Sequence, residues 1–259
     1  MPASLAAHLA AVFSREPEVW LIVAATAIFL FGGLVKGLLG VGLPLVTIPL
    51  LALIMPAPKA IALLCAPIVA SNLWQAVEGG HARAALGRFS PLIVPMILTT
   101  VLTVWLTLGM KPATLNALIA CTVLLAVALI AWQPQLTVDR HRERQWSVGV
   151  GVMSGALGGV SAAMGPLLIT YLVALRLPRE AFVGSISVLN LLGSLPLYLS
   201  LGWLGQLGWA EAGLSLVALA PMFAGMSLGK RLRTRVSETA FRRMLLSFLV
   251  IIALLLLLR

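Results

Sequence analysis

Ten apolar runs account for most of this chain, and they decide what it can fold into. They cover about residues 20–40, 43–55, 60–77, 90–109 and 112–132, then 147–163, 166–176, 181–202, 210–229 and 239–258. A helix that crosses a bilayer needs roughly 20 apolar residues, and most of the runs come near that length. Inside lipid, backbone groups find partners only within a helix or a closed barrel. The runs lack the alternation of barrel strands, so each is read as a helix. Composition points the same way: 61 % of residues are hydrophobic, 10 % are charged, and mean hydropathy is +1.06. Soluble domains lie near about 45–50 % apolar and about 25 % charged. A soluble enzyme and a disordered chain are both excluded, and 259 residues leave no room for a separate soluble domain.

Two runs, 43–55 and 166–176, are too short to cross comfortably. Each follows a glycine-rich break and opens on a proline. The first break is Gly40-Val41-Gly42-Leu43-Pro44, and the second runs Ser161-Ala162-Ala163-Met164-Gly165-Pro166. Glycine frees the backbone to turn. Proline suits the start of a new helix, where its missing N–H costs nothing. Each break therefore reads as the tip of a discontinuous or re-entrant helix pair.

The halves resemble each other. Gly33, Gly37 and Gly40 recur at one constant interval as Gly151, Gly155 and Gly158. PLVTIPLLAL (44–53) matches PLLITYLVAL (166–175), and Pro58-Lys59 parallels Pro178-Arg179. This is an internal repeat. Residues 1–132 form the first transmembrane repeat, 133–146 a polar linker, and 147–259 the second repeat. The fold class is an all-α, multi-pass membrane protein. Each repeat consists of a broken helix pair followed by three spanning helices.

The net charge is +10, from 18 Lys and Arg against 8 Asp and Glu. In a soluble protein that excess would point to nucleic acid. Here its placement explains it. Arg83 and Arg88, the linker arginines 140, 142 and 144, Arg176 and Arg179, and six basic residues of 230–243 all fall on one side of the membrane. Arg15, Lys59, Lys111 and Arg259 fall opposite. The positive-inside rule makes the richer side cytoplasmic, so the linker 133–146 and the turn 230–237 are inside and both termini outside. An odd number of crossings per half inverts one repeat against the other. Inverted repeats with broken helices mark transporters whose binding site lies at the midplane.

Other features are plainer. Cys65 and Cys121 lie in apolar runs and read as small buried residues. His8, His81 and His141 have no metal-ligand spacing, and no cofactor or ATP-binding motif is present. The N-terminus lacks the basic region of a cleaved signal peptide. Trp20, Trp132, Trp146, Trp203 and Trp209 sit at run ends, as interfacial anchors do.

Lys36 is the sharpest candidate site residue. A lysine in an apolar segment costs about 2.5–3.5 kcal/mol on insertion scales, and no Asp or Glu lies in a segment core to neutralise it. A buried cation of this kind suits a mobile anion; the alternative is that it snorkels to a headgroup. The starts of the helices at Pro44 and Pro166 come second. Unpaired N–H groups and the positive dipole end favour an anion. Gly40, Val41, Gly42 and Leu43 would contribute on one side, and Gly159, Ser161, Met164 and Gly165 on the other. The alternative there is close helix packing, the role expected of Gly33, Gly37, Gly151 and Gly155. Asn72 and Asn190 follow the two broken pairs and could donate to an anion or to a neighbouring helix. Ser71, Gln75, Ser185, Ser187 and Ser194 are weaker versions of the same idea.

GGLVKGLLGVGLPLVTIPLL (32–51) and GVMSGALGGVSAAMGPLLITYL (151–172) resemble the paired motifs of the sulfite exporter TauE/SafE family. The C-terminal GMSLGKRLRTRVSETAFRRMLLSFLVIIALLLL (225–257) resembles that family's closing pattern, a glycine-spaced helix, a basic turn and a Phe-Arg-Arg opening the last helix. The resemblance implies transport of a small organic or sulfur-containing anion, such as sulfite, a sulfonate or a sulfoacetate-like compound, across the inner membrane. The expected protein is a secondary transporter and not an enzyme. Its partners are a small anion and the lipid bilayer, without nucleic acid or cofactor. A coupling cation and a homo-oligomer stay open. A membrane-embedded enzyme or an assembly subunit is the competing reading, and the cores offer little titratable chemistry for an enzyme.

Overall fold

In the computed structural model, the described residues are 17–78, 82–132, 137–233, 235 and 237–258. The N-terminal stretch carrying Arg15 and His8, the residue His81, the linker positions 133–136 and Arg259 lie outside them. The described residues form helices and connections, with no strand among them.

The first half contains α1 (Pro17–Leu39), α2 (Leu43–Ala52), α3 (Ala57–Leu63), α4 (Cys65–Glu78), α5 (Ala82–Arg88), α6 (Ser90–Thr107) and α7 (Pro112–Trp132). The second contains α8 (Glu143–Ser161), α9 (Gly165–Ala174), α10 (Arg179–Trp203), α11 (Trp209–Val217), α12 (Leu219–Leu232) and α13 (Glu238–Leu257). Among the described residues, seven stretches are long and apolar enough to cross a membrane: Val19–Leu39, Ala57–Val77, Ser90–Thr107, Pro112–Trp132, Gly184–Trp203, Trp209–Leu232 and Ala240–Leu257. The chain is a multi-span membrane protein. Its outward faces are apolar: Val94, Leu98, Leu102 and Leu106 line the exposed side of α6. The tryptophans at the run ends are exposed, as membrane-interface residues should be.

Both breaks form where expected. α1 stops at Leu39 and α2 starts at Leu43, with Gly40 at φ 84° and Gly42 at φ 102°. α8 stops at Ser161 and α9 starts at Gly165. Here the left-handed residue is Ala162, at φ 52°. Both helices close with the same bond, Gly40 N–H to Lys36 O at 2.8 Å and Ala162 N–H to Gly158 O at 2.8 Å. α2 and α9 have 10 residues each. That is about 15 Å, half the thickness of a bilayer core.

Three boundaries differ from expectation. The run 60–77 is two helices, α3 and α4, and 210–229 is also two, α11 and α12. Proline explains both, because its ring clashes with the carbonyl four residues back. Pro67 faces Leu63, the last residue of α3, and Pro221 faces Val217, the last of α11. The polar loop 78–90 also contains the short helix α5. The cysteines need a correction too: Cys65 is half-buried and Cys121 lies on the outer surface of α7. A helix face turned to lipid is apolar without being inside the protein.

Glycines set the tightest contacts. A methyl group on Gly33 or Gly37 would strike the carbonyls of Met222 or Met226 on α12, and one on Gly225 or Gly229 those of Leu30 or Leu34 on α1. On α8, Gly151, Gly155 and Gly159 press against the Leu92, Met96 and Thr100 carbonyls of α6. Residue numbers climb together in both pairs, so α1 runs parallel to α12 and α8 parallel to α6. Each half thus lends its first helix to the other. α4 also packs on α10, and α7 on α13.

Candidate functional site

The broken helices bring the site residues together. A cavity of about 290 Å³ lies between the two break tips. α1 contributes Val35, Lys36 and Leu39, and the first break contributes Val41 and Gly42. The second break contributes Ala162 and Ala163, and α9 contributes Gly165, Pro166 and Thr170. Asn72 enters from α4, and Asn190 and Ser194 from α10. α7 and α13 close the cavity through Ile130, Arg242 and Leu245. None of the described lining residues is acidic.

Lys36 sits on the last turn of α1, only 4 % exposed. Its ammonium donates to Asn72 Oδ1 at 2.7 Å, a buried bond between α1 and α4. That geometry excludes snorkelling: the head lies inside the protein on a neutral oxygen. That oxygen brings no counter-charge.

The helix starts add to it. Pro44 and Pro166 occupy first-turn positions that lack an N–H anyway. The N-terminal ends of α2 and α9 both border the cavity, and each carries about half a positive charge from its aligned peptide dipoles. Asn190 reaches the second tip: its Oδ1 would lie 3.8 Å from a methyl group on Gly165. Gln75 Nε2 donates to the Gly40 carbonyl at 3.3 Å and braces the first tip.

Of the candidates, Lys36, Val41, Gly42, Asn72, Gly165 and Asn190 line the cavity. Five others sit elsewhere. Leu43 is fully buried in the core around α2, and Gly40 makes the turn. Gly159 packs on α6 beside a smaller cavity of about 110 Å³. Ser161 bonds back to Leu157 O at 3.2 Å, and Met164 fills the space beside Gly158 and Gly193. The difference is one of facing. A break exposes some backbone to the cavity and turns the rest into packing.

The sequence spacing noted above compares the two halves. Asn72 and Asn190 are separated by the interval that separates Gly33 from Gly151. By that interval Lys36 corresponds to Ser154, whose buried hydroxyl has no hydrogen-bond partner among the described residues. One repeat supplies a charge where the other supplies a small neutral group.

Arg242 is the lining residue that the sequence reading missed, because it was grouped with the basic turn before α13. A signal was present: Arg242, Leu245, Leu246 and Leu249 fall on one helical face, whereas Arg243 falls outside it.

A family model described as sulfite exporter TauE/SafE matches residues 25–256. The chain belongs to the sulfite exporter TauE/SafE family. The match takes in both broken pairs and every element that lines the cavity. No curated protein and no solved structure matches the chain. Membership in this family makes it a membrane transporter, in agreement with its seven apolar spans.

Away from the cavity, Arg88 at the end of α5 pairs with Glu143 at the start of α8, Nε to Oε1 at 2.7 Å. The hydrogen bond to Glu143 holds the guanidinium pKa above its ordinary value. Exposure limits such a pair to about 0–1 kcal/mol, so it serves to align the two halves more than to stabilise them.

Proposed function

We propose that this protein is a secondary transporter of a small organic or sulfur-containing anion, such as sulfite or a sulfonate, held at the midplane between the two break tips. One observation carries the reading. Lys36, Asn72, Asn190 and two helix N-termini border one cavity whose lining, among the described residues, contains no acid. Such a site is positive before any ligand arrives, and burial strengthens its attraction for an anion.

Alternating access follows from the same architecture. The two halves, 1–132 and 147–259, joined by the linker 133–146, are read as inverted repeats, and they interlock through the packing of α1 on α12 and of α6 on α8. Rocking one half against the other opens the tips to each side in turn. By the positive-inside rule the linker and the turn 230–237 face the cytoplasm and both termini face out, in a bacterial-type inner membrane.

The test is flux. The purified chain in proteoliposomes should carry labelled sulfite or labelled ethanesulfonate down its gradient, and Lys36→Gln should abolish the movement. Equal flux in that variant and in wild type would remove Lys36 from the site. A wild-type protein that binds and carries neither anion would overturn the reading as a whole.

A further inference from the structure

Away from the break tips the cavity changes character. Lys36, Asn72, Asn190 and the two helix starts gather at the tips. From there the cavity follows α9, whose lining residues run from Gly165 and Pro166 through Ile169 and Thr170 to Val173. These positions share one helical face, and at the rise of an α-helix they span about 12 Å. α7 flanks the stretch with Leu129 and Ile130, and α13 flanks it with Leu245 and Leu246. The ends of α7 and α9 stay together, because Val138, in the connection after α7, donates its N–H to the Ala174 carbonyl at 3.2 Å.

This stretch offers an anion few donors. Thr170 and Ser194 have one hydroxyl proton each. Thr170 Oγ1 donates to Pro166 O at 2.9 Å, and Ser194 Oγ to Leu191 O at 2.9 Å, both carbonyls of their own helices. Arg242 borders the α7–α13 side and donates to the Ile130 carbonyl. Between these groups the described wall is aliphatic. Size then decides what fits. A water occupies about 30 Å³ in the liquid, so a cavity of about 290 Å³ has room for roughly ten such units. Sulfite, a sulfur with its oxygens, would occupy the tips and leave most of that space to water against aliphatic side chains. Such water is poorly held, and an apolar group that displaces it gains affinity.

We propose that the preferred substrate is an amphiphilic organic anion, with a sulfonate or carboxylate head between the tips and an aliphatic tail along α9, between α7 and α13. The tips fix the charge, and Ile169, Val173, Leu129 and Leu245 select for the tail. This rests on the anion reading of the cavity and names its substrate class, and the experiment separates the two.

Unlabelled sulfite and the linear alkanesulfonates from methane- to hexanesulfonate compete with labelled ethanesulfonate for entry into proteoliposomes. Each added methylene should lower the inhibition constant about fourfold until the tail outgrows the stretch along α9. Sulfite should compete weakly, and 1-hexanol, a tail without a head, should not compete. Ile169→Ser and Val173→Ser should each raise the constant for hexanesulfonate about tenfold and leave that for methanesulfonate unchanged. If Ile169→Ser does not fold, Val173→Ser decides, since Val173 is an exposed position. Equal competition by sulfite and hexanesulfonate would overturn this proposal and leave the anion reading standing. So would competition by 1-hexanol equal to that of hexanesulfonate, or a dependence on chain length that both serine variants keep. A wild-type protein that binds and carries none of these anions would overturn the anion reading and this proposal with it.

Discussion

Removing Asn72 should harm this protein more than removing Asn72 and Lys36 together. The Lys36 ammonium is buried and bonded to Asn72 Oδ1 at 2.7 Å. A hydrogen bond to a charged group contributes about 1.5–3 kcal/mol. Asn72→Leu deletes it and strands the ammonium, so a loss of about 2 kcal/mol is expected. Lys36→Met loses the same bond but also sheds the cost of placing a lysine in an apolar segment, about 2.5–3.5 kcal/mol. That variant should lie from about equal to wild type to about 2 kcal/mol more stable. The double variant should recover what Asn72→Leu loses, because no stranded charge remains. Thermal unfolding of the purified chain measures all three. At roughly 2–4 °C per kcal/mol for a chain of this size, Asn72→Leu should melt about 4–8 °C below wild type. The cycle should give a coupling of about 1.5–3 kcal/mol between the two positions. Independent, additive effects would refute the reasoning. So would a Lys36→Met protein several kcal/mol less stable than wild type, since the lysine would then be a structural prop.

Gly155→Val forces a branched side chain into the Met96 carbonyl of α6 and should cost more than about 3 kcal/mol or prevent folding, as read by yield and melting temperature. Ala162→Gly relieves a left-handed alanine at φ 52° and should stabilise the chain by about 1 kcal/mol in the same assay. For orientation, Arg144→Cys in a background lacking Cys65 and Cys121 should react with an impermeant thiol reagent only after cells are opened. Labelling of intact cells would put the linker outside.

The two break tips were legible in the sequence because their chemistry is local. Gly40 and Gly42 permit the first turn, and Pro44 and Pro166 start the next helix, whatever lies around them. Lys36 stood out for a similar reason, as a charge against an apolar background. The splits at Leu64 and Ala218 were also written in the sequence: each falls one residue after a carbonyl that Pro67 or Pro221, four residues on from it, displaces. Gly159 was not legible, and Arg242 was legible only as one position on the apolar face of α13. Glycine allows a turn and a close helix contact equally well, and only the position of α6 makes Gly159 a packing residue. Arg242 belongs by sequence to a basic turn, and only the approach of α7 puts it on the cavity wall.

The sequence by itself determined that this is a multi-pass helical membrane protein with two broken helices and one lysine within an apolar run. Hydropathy, glycine, proline and charge act over a few residues, and lipid leaves the backbone no alternative to a helix. The tertiary structure decided which sides of those helices face one another. It bonded Lys36 to Asn72, brought both tips to one cavity and set Arg242 at its end. Those relations join residues far apart in the chain. They depend on glycine contacts that fix helix rotation to within an atom's width, and no local pattern encodes that.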